Sequence, residues 1–239
     1  MKNTAAFFIF TALQKNLAMK FYWIKTHFLI KKLFSGFVWD LPNKEKKVYL
    51  TFDDGPTPEV TEWTLSQLKQ FDAKATFFCI GENILKHPEI FNKVIKEGHS
   101  IGNHTFNHLK GWETPTKDYI QNMIECDNQI SQHCKTFNLQ SSISNLKSRL
   151  FRPPYGKIKF AQSRILKKMD YRIIMWDVLS ADFDQDVSPE ECLENVIGNV
   201  SSGSVIIFHD SIKASRNLEY ALPKTLAFLK EKGYKCEAI

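Results

Sequence analysis

The chain has 239 residues, of which 43% are hydrophobic, 13% aromatic and 24% charged, and these values are typical of a globular protein rather than a disordered or repetitive one. Its formal net charge is +6, but residues 1–47 hold nine lysines against two acidic residues, which leaves the other 192 residues with a net charge of −1. A nucleic-acid-binding protein normally carries its basic surface on the folded body, so no nucleic-acid partner is expected.

The first 18 residues have some features of a signal peptide. Lys2 precedes a short apolar stretch at residues 5–13, but a small-residue cleavage site is poorly formed at 16–18 and a second methionine, Met19, follows at once. We therefore expect an upstream extension and a protein that stays in the cytoplasm or at a membrane surface, with export as the open alternative. No apolar run reaches the roughly 20 residues that a membrane span needs.

Residues 19–37 form the next recognisable unit. Their aromatic and aliphatic residues follow a helical period with lysines between them, which predicts an amphipathic helix. Such a helix either lies on an anionic membrane surface or packs its apolar face against the body of the protein, and the second interpretation is favoured. The predicted organisation is a basic amphipathic extension at residues 1–46 followed by a folded domain at residues 47–239.

From residue 47 onward, apolar β-rich runs alternate with amphipathic helical patterns. Strands are predicted at residues 47–52, 75–80, 100–104, 150–152, 171–178, 204–208 and 236–239. Helices are predicted at residues 58–71, 88–98, 116–137, 159–169, 189–200 and 219–232, and a Ser/Asn-rich loop at 138–148. Continuous apolar strands that alternate with helices indicate an α/β protein with a buried parallel sheet. About seven such units favour a deformed (β/α)7 TIM-like barrel over an open sheet.

Polar residues cluster where the predicted strands end. They are Asp53, Asp54, His104, Arg152, Asp177 and His209. In a β/α barrel the carboxyl ends of the strands meet at one face, where the chemistry is located. The sequence therefore predicts one site built from these side chains.

The spacing of two histidines is compatible with a metal site. His104 and His108 are four residues apart, so on one helical turn both imidazoles would face the same direction. With a carboxylate such as Asp53 or Asp54 they would form a site with open positions for water and substrate. The alternative for the adjacent aspartates is a turn in which they cap backbone groups.

Two further groups complete a plausible hydrolytic site. Arg152 is followed by two prolines that stiffen the backbone, so it could hold a carboxylate in its ionised form. His209 follows a strongly apolar strand and could transfer a proton near neutral pH, oriented by either Asp177 or Asp182. No G-x-S-x-G motif occurs, so nothing indicates a serine nucleophile.

Five cysteines occur, an odd number without a C-x-x-C motif. Cys126 and Cys134 lie on one predicted helix about 12 Å apart, too far for a disulfide. We expect buried free thiols in a reducing compartment.

In this order the strand-end motifs resemble the polysaccharide deacetylases, the nodulation-protein-B homology domain or carbohydrate esterase family four. The matching segments are Thr51–Pro56, His104–His108, Arg152–Tyr155, Trp176–Phe183 and Ile207–His209. The resemblance covers residues 47–239, and it implies a barrel that removes N-acetyl groups from the amino sugars of a glycan. It also implies a divalent metal, most often zinc, held by Asp54, His104 and His108.

The resemblance assigns roles to the remaining residues. It implies that Asp53 is the general base, that Arg152 positions it and that the backbone N–H of Tyr155 helps to bind the oxyanion. His209 is implied as the general acid, with Asp182 as the residue that orients it. The sequence departs from the usual family pattern in the fourth and fifth motifs, at Leu179, Phe183 and Ile207.

Three alternatives remain open on the sequence. One is an amidase that acts on a small non-sugar amide, and another is an esterase that removes O-acetyl groups from carbohydrate. The third is an inactive barrel that only binds glycan or a protein, although the implied base and metal ligands are all present.

Overall fold

The computed structural model describes residues 22–136 and 149–239. The predictions for residues 1–18 and for the loop at 138–148 lie outside these ranges. Among the described residues, no helix combines the length and the apolarity that crossing a bilayer requires.

A curled parallel sheet organises the molecule. Its strands are β1 (Lys47–Asp53), β2 (Ala75–Cys79), β3 (Ser100–Asn103), β4 (Arg149–Phe151), β5 (Tyr171–Ile173), β6 (Val178–Leu179), β7 (Val205–His209) and β8 (Lys235–Cys236). The order along the sheet is β5-β4-β3-β2-β1-β7-β6, and β8 pairs with the start of β1. Most residues of the central strands β1, β2, β3 and β7 are buried, as expected of parallel strands covered by helices on both faces. The predicted (β/α)7 barrel is thereby confirmed in its deformed form.

Helices follow most of the strands and cover the sheet. The helices are α1 (Phe28–Leu33), α2 (Val60–Gln70), α3 (Gly81–Lys86), α4 (Pro88–Lys96), α5 (Thr116–Thr136), α6 (Phe160–Lys168), α7 (Pro189–Ile197) and α8 (Ser215–Glu231). Ser188 caps the start of α7, because its hydroxyl oxygen accepts a hydrogen bond from the Glu191 backbone N–H. The main core lies between the central strands β1, β2 and β7 and the helices α2, α4 and α8.

The predicted strand at residues 171–178 is divided in the structure. Its first part, β5, pairs with β4, whereas its last part, β6, pairs with β7 on the other side of the barrel. One continuous β-rich run thus spans the opening of the barrel, which is the gap between β5 and β6, the two end strands of the sheet. Its two halves pair with different strands. Hydrophobicity alone could not reveal the change, because both halves are buried.

Residues 22–41, called the N-terminal strap below, cover this opening. Lys25 forms an antiparallel bridge with Val178, and Val38 forms a parallel bridge with Ile174. Within residues 22–37, the described part of the helix predicted at 19–37, the structure has only the six-residue helix α1, and none of its residues is buried. The expectation that its apolar face packs against the body is wrong for α1, because the side chains of Phe28, Leu29 and Leu33 are exposed.

All five cysteines are free thiols. Four of them are buried, and Cys236 is partly exposed. Burial raises the pKa of the Cys134 thiol to about 11 and of the Cys236 thiol to about 12, so neither is reactive at neutral pH.

Candidate active site

The two central strands bring a carboxylate and an imidazole to the same edge of the sheet. Asp53 is the last residue of β1, and it is directly opposite His209, the last residue of β7, in the pairing of these two strands. His104 follows β3 and Arg152 follows β4. The sheet thus gathers Asp53, His104, Arg152 and His209 at one face, as the sequence predicted. The prediction is wrong for Asp177, which binds Lys25 and Lys31 instead.

Arg152 locks Asp53 in place. Its guanidinium is fully buried, and Nη1 lies 2.7 Å from Asp53 Oδ1 and 2.7 Å from the hydroxyl oxygen of Thr51. Nη2 donates to the backbone carbonyl of Met175 at 2.8 Å, and the guanidinium carbon lies 4.2 Å from the centre of the Phe78 ring. A buried arginine with this many partners cannot change rotamer without losing several hydrogen bonds, so Asp53 has a fixed position and a fixed counter-charge.

Asp54 lies beside the two histidines. Its Oδ1 is 3.3 Å from His108 Nε2 and 3.7 Å from His104 Nε2. Ligand atoms of the three residues lie within 4.8 Å of one another, close enough to bind one cation. Asp53 is near as well, with Oδ2 at 3.8 Å from His104 Nε2, but its other oxygen is held by Arg152.

The histidine pair lies on a loop and not on the helical turn that the spacing suggested. Thr105 and His108 both have positive φ, 64° and 56°, which no α-helix contains. Local side chains hold the loop: Asn103 Oδ1 accepts from the Thr105 N–H at 2.9 Å, and the Thr105 hydroxyl oxygen accepts from the Leu109 N–H at 3.1 Å. The two imidazole rings nevertheless have their centres 5.0 Å apart. The prediction that they lie side by side is therefore confirmed, although a loop and not a helix carries them.

The electrostatics keep both imidazoles neutral. Burial, aided by the neighbouring His108, lowers the pKa of His104 to about 3, and burial also lowers the pKa of His108. The His104 Nδ1–H donates to the backbone carbonyl of Arg152 at 2.8 Å. That hydrogen bond leaves the lone pair of Nε2 free on the side of Asp54, as metal-binding histidines require.

These three residues fit a divalent cation. Among the described residues, Asp54 Oδ1 is buried and has no hydrogen-bond partner, which is costly for a carboxylate oxygen unless a ligand satisfies it. Two neutral imidazole nitrogens and one carboxylate are also the donor set of catalytic zinc sites.

His209 is oriented by Asp182. Asp182 is fully buried, and its two oxygens accept from the backbone N–H and from Nδ1 of His209, each at 2.7 Å. Burial opposes the charged form of His209, but the charge and hydrogen bond of Asp182, with Asp54 and Asp53, outweigh it and raise the pKa to about 9. Asp177 serves elsewhere, since it binds Lys25 and Lys31 of the N-terminal strap.

Asp210 is a positioning residue that the sequence analysis did not assign. It is buried, and its carboxylate accepts from the Gly55 N–H at 3.1 Å and from the Thr61 hydroxyl. Its own N–H donates to the backbone carbonyl of Asp53 at 3.0 Å. The only available signal was its place directly after His209. Asp210 thus fixes the turn that carries Asp53 and Asp54.

A cavity of about 470 Å³ lies over these groups. Two aspartates and three histidines of the site line it together with Ser211 and Lys213. The other lining residues include Tyr22, Tyr155, Trp176, Leu179, Phe183 and Ile207. Tyr155 has φ 58°, and its ring lies 4.6 Å from the ring of His108. No motif in the sequence indicated Tyr22, which comes from the N-terminal strap.

Known proteins share this sequence pattern. The family model described as "Polysaccharide deacetylase" matches residues 40–174. A peptidoglycan-N-acetylglucosamine deacetylase of Bacillus cereus is 35% identical over 205 residues, which cover 84% of this chain and 90% of that protein. The peptidoglycan-N-acetylmuramic acid deacetylase PdaC of Bacillus subtilis is 30% identical over 194 residues, 81% of this chain but 38% of PdaC.

The fold matches solved structures as well. The Bc1960 peptidoglycan N-acetylglucosamine deacetylase, crystallised in complex with 4-naphthalen-1-yl-N-oxidanyl-benzamide, superposes with a TM-score of 0.77 at 31% identity and covers 90% of this chain and 95% of that one. The Bacillus subtilis PdaC structure superposes with a TM-score of 0.69 at 26% identity, over 82% of this chain and 89% of that one. Sequence, fold and the order of the motifs agree, and the chain belongs to the polysaccharide deacetylase family.

Proposed function

We propose that this protein is a metal-dependent carbohydrate deacetylase, which hydrolyses the N-acetyl group of an amino sugar in a glycan and releases acetate. The observation that carries the proposal is the arrangement around one cavity. A cation site at Asp54, His104 and His108 shares one cavity with Asp53, a carboxylate held by Arg152, and with His209, a cationic imidazole.

The cation is proposed to be zinc, on the donor set of two imidazoles and one carboxylate. When bound, such an ion polarises the substrate carbonyl and lowers the pKa of a water molecule to about 7. Asp54 contributes the buried oxygen that lacks another partner. The three ligands come from two loops that Asp210 and Asn103 hold in place.

The other side chains handle the protons. Asp53, paired with Arg152, accepts the proton of the attacking water. His209 is protonated below pH 9 and donates to the nitrogen of the departing amine, while Asp182 fixes its ring. Tyr155 lies beside His108, where its backbone N–H would help to stabilise the oxyanion.

The substrate class is proposed to be an N-acetylated amino-sugar polymer. The curated relatives above are named as peptidoglycan deacetylases, and a chitin deacetylase of Saccharomyces cerevisiae is 32% identical over 75% of this chain. Peptidoglycan is therefore the first substrate to test and chitin oligomers the second.

The experiment is to measure acetate release from four substrates by the zinc-loaded protein. The substrates are peptidoglycan, N-acetylglucosamine oligomers, an O-acetylated xylan and N-methylacetamide as the small non-sugar amide. Release from the first two alone supports the proposal. Release only from xylan or from the small amide would support the esterase or the amidase instead, and binding of oligomers without acetate release would identify an inactive barrel.

We also propose that α1 contacts an anionic membrane surface. Phe28, Leu29 and Leu33 project from it with exposures of 55–73%, Lys32 lies among them, and residues 1–47 carry a net charge of +7. Co-sedimentation with phosphatidylglycerol vesicles should exceed that with phosphatidylcholine vesicles. It should also fall when Phe28 and Leu33 are both replaced by Ser. Equal sedimentation with both lipids, or no loss in the double variant, would contradict the contact.

A further inference from the structure

The N-terminal strap extends the sheet next to the active site. The Leu179 N–H donates to the carbonyl of Ile24, and the Thr26 N–H donates to the carbonyl of Asp177, each at 2.8 Å. This part of the strap therefore pairs antiparallel with the short edge strand β6. It precedes the segment that the family model matches, residues 40–174, and it lies outside the five motifs named above.

Ionic contacts with the buried Asp177 carboxylate hold the strap in this position. Lys25 Nζ lies 2.6 Å from Asp177 Oδ2, and Lys31 binds the other oxygen of the same carboxylate. The Thr26 hydroxyl donates to the backbone carbonyl of Trp176 at 2.8 Å. With two lysines on one buried aspartate, the start of the strap has a defined place beside the cavity.

The strap brings Tyr22 to the cavity wall on the side of the proposed acid. The Tyr22 ring meets Phe183 edge to face at 5.6 Å between ring centres, and Phe183 meets His209 edge to face at 5.1 Å. The Tyr22 hydroxyl donates to Asp184. Tyr22 and Phe183 both line the cavity, so the three rings form a continuous wall there.

The position of this wall decides which part of a substrate it meets. In the proposed reaction His209 gives its proton to the amine nitrogen, and that nitrogen is carried by the sugar. A wall beside His209 therefore faces the sugar and not the acetyl methyl group. Aromatic side chains with one polar end are well suited to such contacts, because the ring covers apolar C–H surface while the hydroxyl keeps a hydrogen bond.

From this geometry we infer that Tyr22 is a specificity-determining residue that contacts the sugar bearing the acetamido group, and that the N-terminal strap is part of the substrate site. The inference rests on the proposed deacetylase function. It extends that function to a residue outside the five motifs.

The test compares two substrates in the zinc-loaded full chain. N-acetylglucosamine tetramer carries sugars for Tyr22 to contact, whereas 2,2,2-trifluoroethyl acetate has the acetyl group and a small leaving group without a ring. Tyr22→Ala should raise KM for the tetramer about tenfold, the effect of about 1.4 kcal/mol of lost contact, and should change ester hydrolysis much less. Tyr22→Phe keeps the ring and should retain most of the tetramer activity. Trp23→Ala, an exposed neighbour on the same strap, is the matched control and should behave as wild type.

Two results would overturn the inference. Unchanged tetramer kinetics in Tyr22→Ala would mean that the ring does not contact the sugar. Equal losses on tetramer and ester would mean that Tyr22 only supports the fold around His209. If the wild-type protein hydrolyses the ester but releases no acetate from the tetramer or from peptidoglycan, the deacetylase function itself fails, and the inference fails with it.

Discussion

Asp53 and Asp54 are neighbours in the chain, yet their side chains have different partners. Asp53 is bound by the Arg152 guanidinium, whereas Asp54 Oδ1 is directed at the two histidines. The difference arises because Asp54 has φ 83°, which turns the backbone between the two side chains. One carboxylate is thus placed to act as a base and the other as a ligand.

This division of roles predicts distinct variants. Asp53→Asn should lower the deacetylation rate by about 10²–10⁴ and keep the metal, because a base is lost but no principal ligand is. His104→Ala should lose metal and activity together. Metal content, measured by inductively coupled plasma mass spectrometry, and acetate release check both predictions. Equal metal loss in the two variants would refute the assignment of Asp53 as base.

The pKa of His209 should set the alkaline limb of the pH–rate profile. Asp182 and the nearby carboxylates outweigh burial and raise the pKa of His209 to about 9. Because the acid must be protonated to act, kcat/KM on an N-acetyl glycan should be retained below that pKa and fall as the pH rises through about 9. Asp182→Asn removes the largest favourable charge, so the limb should move toward acid pH. If the alkaline limb stays at the same pH in Asp182→Asn, a group other than His209 produces it.

The leaving group gives a separate test of His209. His209→Ala should slow hydrolysis of an amide substrate by about 10²–10⁴, because an amine leaves poorly without a proton. An activated ester such as 4-nitrophenyl acetate should lose much less, since its leaving group needs little protonation. The measurement is the steady-state or stopped-flow rate of wild type and His209→Ala on both substrates. Equal losses would show that His209 serves structure or substrate binding instead.

At the level of elements, the turn after β1 depends on close packing. A Cβ built on Gly55 would lie 2.0 Å from Asp210 Oδ2, and Asp210 is held by the Thr61 hydroxyl. Gly55→Ala should therefore destabilise the protein by about 1–3 kcal/mol through overpacking and should lower both metal affinity and activity. Gly36→Ala is the control, because its Cβ would meet only the flexible end of Lys167. Urea denaturation and zinc titration of both variants provide the measurements, and equal behaviour of the two would contradict the role of Asp210.

Much of the element pattern could be predicted from hydrophobic periodicity, but local backbone geometry could not. The spacing of His104 and His108 predicts convergence correctly and a helix wrongly, because a loop with two positive φ values places the rings as close as a helical turn would. The sequence also could not decide whether Asp177 or Asp182 orients His209. The two are five residues apart on one segment, and only the pairing of that segment places Asp182 beside His209.

Tyr22 shows the other limit of sequence analysis. Its place at the active site depends on the pairing of the N-terminal strap with β6 and on the contact of Lys25 with Asp177, which is 152 positions away in the chain. Neither contact leaves a local pattern in the sequence. The apolar period of residues 19–37 predicts one helix, whereas Lys25 within this segment forms an antiparallel bridge with Val178 of β6.

For the whole molecule, the N-terminal strap predicts where the chain can be shortened. A protein that begins at Met19 keeps Tyr22, Lys25 and Lys31 and should fold and remain active. A protein that begins at Lys44 loses both lysines, and Asp177 then has no cation to pair with among its present partners. Its Tm should fall by more than about 5 °C, since 1 kcal/mol corresponds to about 2–4 °C in a chain of this size. Calorimetry of the two proteins checks this, and equal Tm values would show that the strap adds no stability.

The location of the protein in the cell stays a prediction, and it bears on the substrate. A cytoplasmic protein would meet N-acetylated precursors or oligomers, whereas the assembled wall lies outside the membrane. Mass spectrometry of the native N-terminus after cell fractionation would distinguish the two. A start at Met19 in the cytoplasmic or membrane fraction supports the expectation from the sequence, and a processed start in an exported fraction contradicts it.

The central claim is that one cation site, one locked carboxylate and one oriented imidazole remove acetyl groups from an amino-sugar glycan. The most direct measurement follows N-acetylglucosamine oligomers and peptidoglycan fragments by mass spectrometry, together with free acetate, for protein stripped by a chelator and then reloaded with zinc. We predict that stripped protein is inactive. Reloaded protein should bind about one zinc per chain through its three ligands and form one free amine for each acetate released. Intact glycans and no acetate from fully zinc-loaded protein would contradict the claim.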